Sequence, residues 1–190
     1  MEINRIVFGF KIMGIEGKKD ILIDRIKSLF EVQRFYSDQL ITLFENSDEQ
    51  VKVVLKGSSN IDFDIINWKN IDLIQNFATN SMFDDFVPNL NNIRFSFESI
   101  TFNDGFNKLF ISELPEEVKT EMLGFKVKID NNNFYVTVMN KNKPLNLSIT
   151  LKINKDNPIK IGEDIEYINT LLKEKVIPTV NKVIGWGEEI

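Results

Sequence analysis

Gly9 and Gly14 are separated by four residues, which is the glycine spacing of a phosphate-binding loop. Such a loop also needs a lysine that reaches the phosphates and a hydroxyl side chain that binds Mg²⁺. Ile15 and Glu16 stand at those two positions, and the carboxylate of Glu16 would repel a phosphate. The spacing therefore indicates a structural turn rather than a nucleotide site.

Two groups of acidic residues have spacings that a cation site would use. Asp62 and Asp64 share one face of a predicted strand, but no further oxygen ligand follows at a recognisable spacing. The run 130–133 lacks the glycine and the terminal glutamate of an EF-hand loop and is typical of a hairpin turn. We predict no metal site in either place. Glycosidase chemistry by two carboxylates stays a possibility, because such a pair would meet only in the fold, but the sequence indicates no particular pair.

Two residue types that carry much of enzyme chemistry are missing. The 190 residues contain no cysteine and no histidine. Their absence excludes thiolate nucleophiles, Cys- or His-ligated metals, the Ser-His-Asp triad and the usual general base near neutral pH. We therefore predict a protein that is not an enzyme and has no catalytic residues, metal or cofactor.

The charges and apolar runs limit the partners and the compartment. The net charge is −5, and the 23 basic residues are scattered along the chain, so we expect no nucleic-acid partner. No apolar run reaches 18 residues, and the N-terminus alternates rather than forming a signal peptide. We predict no transmembrane segment, and a cytoplasmic location or release without a cleaved signal peptide.

The N-terminal part of the chain predicts a strand and then a long helix. Residues 3–15 alternate, with Ile6, Phe8 and Phe10 on one face. Apolar residues then recur at spacings of three and four without Gly or Pro, which predicts a helix over 20–46, with Ser37-Asp38 as a place where it would break. Unbroken, this helix would be about 40 Å long.

The remaining elements are shorter up to the C-terminus. The strand over 92–102 changes its buried parity near Glu98-Ser99, which predicts a bulge. Strict alternation over 144–154 predicts one dry and one wet face, and Pro178 should kink the last helix. The other predicted elements are strands at 50–56 and 60–68, helices at 70–87, 114–124 and 163–184, and a hairpin over 125–138.

These elements predict an α+β fold in one domain, 1–190, in which a long curved antiparallel sheet is gripped by two long amphipathic helices. Their order resembles the tubular lipid-binding (TULIP) superfamily. In the last helix, Leu171-Leu172, Pro178 and Asn181 are similar to the closing helix of bactericidal/permeability-increasing-type domains. Accessory proteins of clostridial toxin clusters belong to that group, and a bacterial A+T-rich genome suits the 26 isoleucines and single alanine. The START-like helix-grip fold is a weaker alternative with the same outline.

Both resemblances imply a hydrophobic ligand, such as a lipid acyl chain or another apolar small molecule. The ligand would lie in an apolar groove between the sheet and the last helix. The alternative is a structural or interaction component of a toxin-cluster or phage assembly, which would have a filled core and bind a protein partner through an edge strand or the helix at 70–87. The predicted lining residues are Phe95, Phe97, Leu145, Leu147, Ile149, Leu151, Ile168 and Leu172.

Overall fold

A single antiparallel sheet dominates the described part of the chain. The computed structural model describes residues 3–66, 71–79, 85–100, 122–139, 145–152 and 164–184. The described strands are β1 (Ile3–Met13), β2 (Arg34–Ser37), β3 (Ile41–Asn46), β4 (Val51–Lys56), β5 (Asn60–Ile65), β6 (Val87–Ile100), β7 (Met122–Ile129), β8 (Asn132–Met139) and β9 (Leu145–Lys152). They are ordered β2-β3-β4-β5-β1-β6-β9-β8-β7 across the sheet.

The described helices are short. They are α1 (Lys19–Lys27), α2 (Ile71–Thr79), α3 (Asp164–Leu171) and α4 (Ile177–Ile184), and a π-helical turn, Leu172–Val176, joins the last two. The predicted fold class, a sheet gripped by two long helices, is therefore wrong: nine strands dominate the described chain. The helices serve as a partial cover for one side of a wide sheet.

The main error is the helix predicted over 20–46. Only its first part is helical, with Leu22 and Ile26 fully buried. The rest forms β2 and β3, in which Thr42 and Phe44 are buried while Leu40, in the turn before β3, is 74% exposed. Asp38 starts a tight turn there, because its Oδ1 accepts the backbone N–H groups of Leu40 and Ile41. Spacings of three and four did not distinguish a helix from two strands joined by a turn.

The core lies on one side of the sheet, which we call the covered face. Phe8, Phe63 and Phe95 lie on this face in three neighbouring strands and are almost completely buried. The ring of Phe77, from α2, packs against Phe63 with centroids 4.6 Å apart. A single apolar cluster extends from these residues to the C-terminal helices, since Ile168, Leu172 and Val180 belong to it.

The strand order follows the same pattern on either side of the β1–β6 pair. In this pattern β1 corresponds to β6, β5 to β9, β4 to β8 and β3 to β7. A helix follows β5 in one half and β9 in the other. The sequence contains no recognisable repeat, so this relation is visible only in the topology.

Several local predictions are confirmed. The bulge expected near Glu98-Ser99 corresponds to a register shift between Phe97 and Ile100. The hairpin turn has positive φ at Asp130 and Asn131, the conformation that Asn and Asp tolerate best.

The predicted helix over 114–124 is wrong at its end, because Met122–Ile129 is a strand, and its other residues lie outside those described.

Pro178 affects the last helix as its chemistry requires. It has no N–H, and its ring crowds the carbonyl of Glu174, four residues earlier. The helix widens to a π turn at this point, where the Ile177 N–H donates to the Leu172 carbonyl, five residues back. Leu172 and Val176 remain fully buried, so the π turn keeps the apolar stripe facing the sheet.

Candidate functional site

The second side of the sheet, which we call the open face, is polar and charged. Strand pairing places each row of side chains across the sheet on one side. One such row runs from β2 to β7 and contains Arg34, Glu45, Lys52, Asp64, Val7, Arg94, Thr150, Tyr135 and Lys126. The row beside it runs Tyr36, Leu43, Val54, Asp62, Gly9, Asn92, Lys152, Asn133 and Lys128.

Basic side chains are concentrated on this face. Among the described side chains, nine basic and three acidic residues project from it, although the whole chain has a net charge of −5. The basic ones are Arg5, Lys11, Arg34, Lys52, Lys56, Arg94, Lys126, Lys128 and Lys152, and the acidic ones are Glu45, Asp62 and Asp64. The other described side chains include thirteen acidic and seven basic residues.

The N-terminal strands neutralise most of their own charge. The three acidic side chains described on the open face lie on β3 and β5, and each forms an ion pair with a basic residue of the same face. Lys56 Nζ is 2.6 Å from Asp62 Oδ2, and Arg34 Nη1 is 3.4 Å from Glu45 Oε2. Arg5 donates two hydrogen bonds to the Asp64 carboxylate, one from Nε and one from Nη2. The Asp64 hydrogen bond also raises the pKa of Arg5, so this guanidinium stays charged.

The C-terminal strands β6, β9, β8 and β7 differ in having no acidic side chain on the open face, as far as their side chains are described. We call the two central rows of these strands the C-terminal basic face. Arg94, Lys126, Lys128 and Lys152 are exposed in it, and among the described residues none of the four has an acidic partner. The complete set is Asn92, Arg94, Lys126, Lys128, Asn133, Tyr135, Thr150 and Lys152.

Tyr135 lies near the centre of the C-terminal basic face. It is 37% exposed and sits between Lys126 and Thr150 in its row. The Lys152 ammonium lies 4.6 Å from its ring centroid, in the range of a cation–π contact. The ring is thus exposed, held by a rigid strand, and surrounded by hydrogen-bond donors and positive charge.

The centre of the open face has little room. Gly9 lies opposite Asn92, and a Cβ added at Gly9 would come within 2.7 Å of the Asn92 side-chain nitrogen. Gly9 therefore allows Asn92 to lie across β1, at the boundary between the two groups of strands. Gly9 is in the middle of a strand, so it does not form a phosphate loop with Gly14, whose φ of +83° marks the turn after β1.

The structure brings together the residues predicted to line an apolar groove. Phe95, Phe97, Leu147, Ile149, Leu151, Ile168 and Leu172 all belong to the one buried cluster between the sheet and the C-terminal helices. Leu145 is paired with Ile100 in the sheet, and its side chain lies outside those described. This cluster extends over the whole core, and ligand binding by these residues stays a prediction.

The candidate cation ligands bind cationic side chains instead. Asp62 and Asp64 share one face, as predicted, and their carboxylates contact Lys56 and Arg5. Asp130, in the β7–β8 turn, lies 2.6 Å from Lys175 of the π turn, which raises the pKa of that lysine. No group of three or more potential metal ligands occurs among the described residues.

Sequence reasoning missed the open face because its basic residues come from six different strands. The expectation of no nucleic-acid partner rested on their scatter along the chain. One signal was present: Lys126 and Lys128 alternate with Phe125 and Val127, so the wet side of that strand is basic. The register needed to add Lys152 and Arg94 to it was not in the sequence.

Comparisons with known proteins give little further information. No family model and no curated protein matches the chain. Among solved structures, "Methanococcus jannaschii TBP" is similar over 96% of this chain and 98% of that one, with a TM-score of 0.40 and 12% identity. A similarity this low does not support a functional argument. Within the described part of the chain, no helix is long and apolar enough to cross a membrane.

Proposed function

We propose that the protein binds nucleic acid through the open face of its sheet, by contacts of lysine and arginine side chains to phosphates. One observation carries this proposal: basic residues are concentrated on the open face of a chain that is acidic as a whole. A protein gains affinity for a polyanion by displacing its condensed counterions, and several lysines and arginines on one rigid surface provide that contribution.

The other side chains of the C-terminal basic face favour nucleic acid over a membrane surface. They are two asparagines, a threonine and a tyrosine, which hydrogen-bond to phosphates, sugars and base edges. No aliphatic side chain is among them, whereas a helix or loop that inserts into a membrane interface presents large apolar residues. The face therefore suits a hydrated, hydrogen-bonding polyanion.

Charge reversal tests the proposal with a closely matched control. The double variant Lys126→Glu/Lys128→Glu changes two exposed cations of the C-terminal basic face, and Lys173→Glu/Lys182→Glu changes two exposed cations of the C-terminal helical segment. Both variants shift the net charge equally. Fluorescence anisotropy with a labelled oligonucleotide at low salt should show binding by the wild type and the helix variant, and a loss of about tenfold or more for the face variant.

Equal weakening by the two double variants would mean that only total charge matters and would contradict a defined site. No binding of single- or double-stranded oligonucleotides by the wild type at low salt would refute the proposed function. Circular dichroism and thermal melting of all three proteins ensure that the comparison is made between folded samples.

A further inference from the structure

We infer that the ligand of the C-terminal basic face is a single-stranded nucleic acid with one base stacked on Tyr135. This inference rests on the proposed function and specifies its ligand. The base would lie on the Tyr135 ring, while Lys126, Lys128 and Lys152 would contact the phosphates on either side of it. The argument depends on the position of the ring, the width of the unpaired basic surface and the arrangement of the donors.

The exposed ring is the first reason. The π faces of bases inside a duplex are covered by their neighbours, so an aromatic side chain on a flat sheet gains a stacking partner only from an unpaired base. Tyr135 is held on a central strand of this half of the sheet and is 37% exposed. The ammonium of Lys152, 4.6 Å from the ring centroid, already uses the ring as a π surface. A base that stacks there would displace this ammonium toward a phosphate, where its charge is better compensated.

The width of the surface is the second reason. The four cations of the C-terminal basic face lie on β6, β9 and β7. Arg94 and Lys126, at the two ends of one row across these strands and β8, are separated by three strand spacings, or about 14 Å. Beyond β6 lie the ion-paired residues of the N-terminal strands, including the carboxylates of Asp62 and Asp64. A duplex lying across the sheet would bring phosphates near these carboxylates, whereas one strand fits within the unpaired region.

The arrangement of the donors along β7 is the third reason. Lys126 and Lys128 point to the same side two residues apart, a separation of about 7 Å along the strand. This is comparable to the distance between successive phosphates of an extended single strand. Asn133 lies between Lys128 and Lys152 in the neighbouring row, where its amide can bond to a base edge. A single strand running along β7 and β8 would meet phosphate donors on one side and the Tyr135 ring on the other.

Tyr36 provides a matched control because it is the other exposed tyrosine of the open face. It lies on the edge strand β2 and donates its hydroxyl to Asp38 Oδ2 at 2.9 Å, which raises the pKa of Tyr36. Its neighbours in the row are Leu43 and Val54, so it has an exposed ring without unpaired cations next to it. Loss of this ring should not affect binding if stacking occurs at Tyr135.

The experiment compares Tyr135→Leu, Tyr135→Phe and Tyr36→Leu with the wild type by fluorescence anisotropy. The probes are oligothymidine and oligouridine of about 12 nucleotides, within the site size of single-strand binders, and a mixed-sequence duplex of the same length. We expect the wild type to bind the single strands about tenfold more tightly than the duplex. Tyr135→Leu should weaken single-strand binding about tenfold, the loss of one stacked base, while Tyr135→Phe and Tyr36→Leu bind as the wild type does.

Two results would overturn the inference and leave the proposed function standing. One is a duplex affinity equal to or above that of the single strands. The other is unchanged single-strand binding by Tyr135→Leu together with loss of binding by Lys126→Glu/Lys128→Glu, which would indicate phosphate contacts without stacking. Absence of binding to every probe would overturn both proposals, so the two failures are distinguishable.

Discussion

The guanidinium of Arg5 binds the carboxylate of Asp64 on the open face through two hydrogen bonds. Nε donates to Oδ1 at 2.6 Å, and Nη2 donates to Oδ2. The two residues are 59 positions apart in the chain and lie on the neighbouring strands β1 and β5. The Asp64 side chain is 10% exposed, whereas that of Arg5 is 48% exposed. Arg5 on β1 therefore neutralises a nearly buried carboxylate on β5.

Removing the guanidinium should destabilise the protein more than removing a neighbouring ammonium. Arg5→Met leaves the Asp64 carboxylate nearly buried without its partner, which should lower the free energy of unfolding by about 1–2 kcal/mol. Lys56→Met breaks the more exposed pair with Asp62 and should cost less than about 1 kcal/mol. Urea unfolding of both variants measures the difference, and equal losses would show that burial of Asp64 adds nothing to the pair.

Neutralising one acid of the N-terminal strands should leave the salt dependence of binding unchanged. Asp62→Asn removes a carboxylate and releases Lys56 from its ion pair, but Lys56 lies on β4, outside the C-terminal basic face. The slope of log K against log salt should be about −3 for the wild type, from the four cations of the C-terminal basic face, and should be the same in the variant. Salt titrations of oligothymidine binding measure both slopes. A steeper slope in the variant would show that the N-terminal strands contact the ligand.

Substitutions at two neighbouring residues of β9 should affect folding and binding differently. Ile149 is fully buried on the covered face, so Ile149→Asp places a carboxylate in the core and should cost about 3–5 kcal/mol. Thr150 lies on the open face beside Arg94 and Tyr135, so Thr150→Asp should cost less than about 1 kcal/mol. The second variant should remain folded and bind oligonucleotides more weakly. Equal melting temperatures for the two variants would refute this assignment of faces.

The turn between β2 and β3 should lose stability in acid. Backbone N–H groups of Ile41 and Leu40, and then the Tyr36 hydroxyl, lower the pKa of Asp38. A carboxylate whose pKa is lower in the folded state stabilises that state above its unfolded pKa, about 3.9, and this contribution is lost as pH falls through the folded pKa. Stability should therefore fall below about pH 4.

Two substitutions isolate this effect. Asp38→Asn keeps an oxygen acceptor for the turn but does not titrate. Between about pH 5 and pH 3, the range in which the Asp38 carboxylate takes up its proton, this variant should lose less stability than the wild type. Asp38→Ala removes the acceptor and should be less stable at both pH values. Part of the acid dependence should remain in both variants, because Lys18 and then Arg25 lower the pKa of Asp85. Hydrogen exchange of the Leu40 and Ile41 amides provides the local measurement.

The sequence determined the features that depend on neighbouring residues. The alternation in β1, β4, β5, β8 and β9 identified strands and their buried sides, because successive side chains of a strand point to opposite faces. The turn at Asp130-Asn131, the bulge after Phe97 and the disturbance of the helix before Pro178 follow from the conformations available to those residues. Local patterns were insufficient over 20–46, where one apolar spacing fits a helix and also a helix followed by two strands.

The tertiary structure alone decided which strands are neighbours, and with them the candidate site. Lys152 and Tyr135 are 17 positions apart and come from β9 and β8. The pairing of these strands nevertheless places Lys152 Nζ 4.6 Å from the centroid of the Tyr135 ring. The same pairing joins Arg5 to Asp64 and leaves Arg94, Lys126 and Lys128 without acidic partners among the described residues. The sequence contains these charges but not the register between distant strands, and register alone determines which of them cancel and which remain available to a ligand.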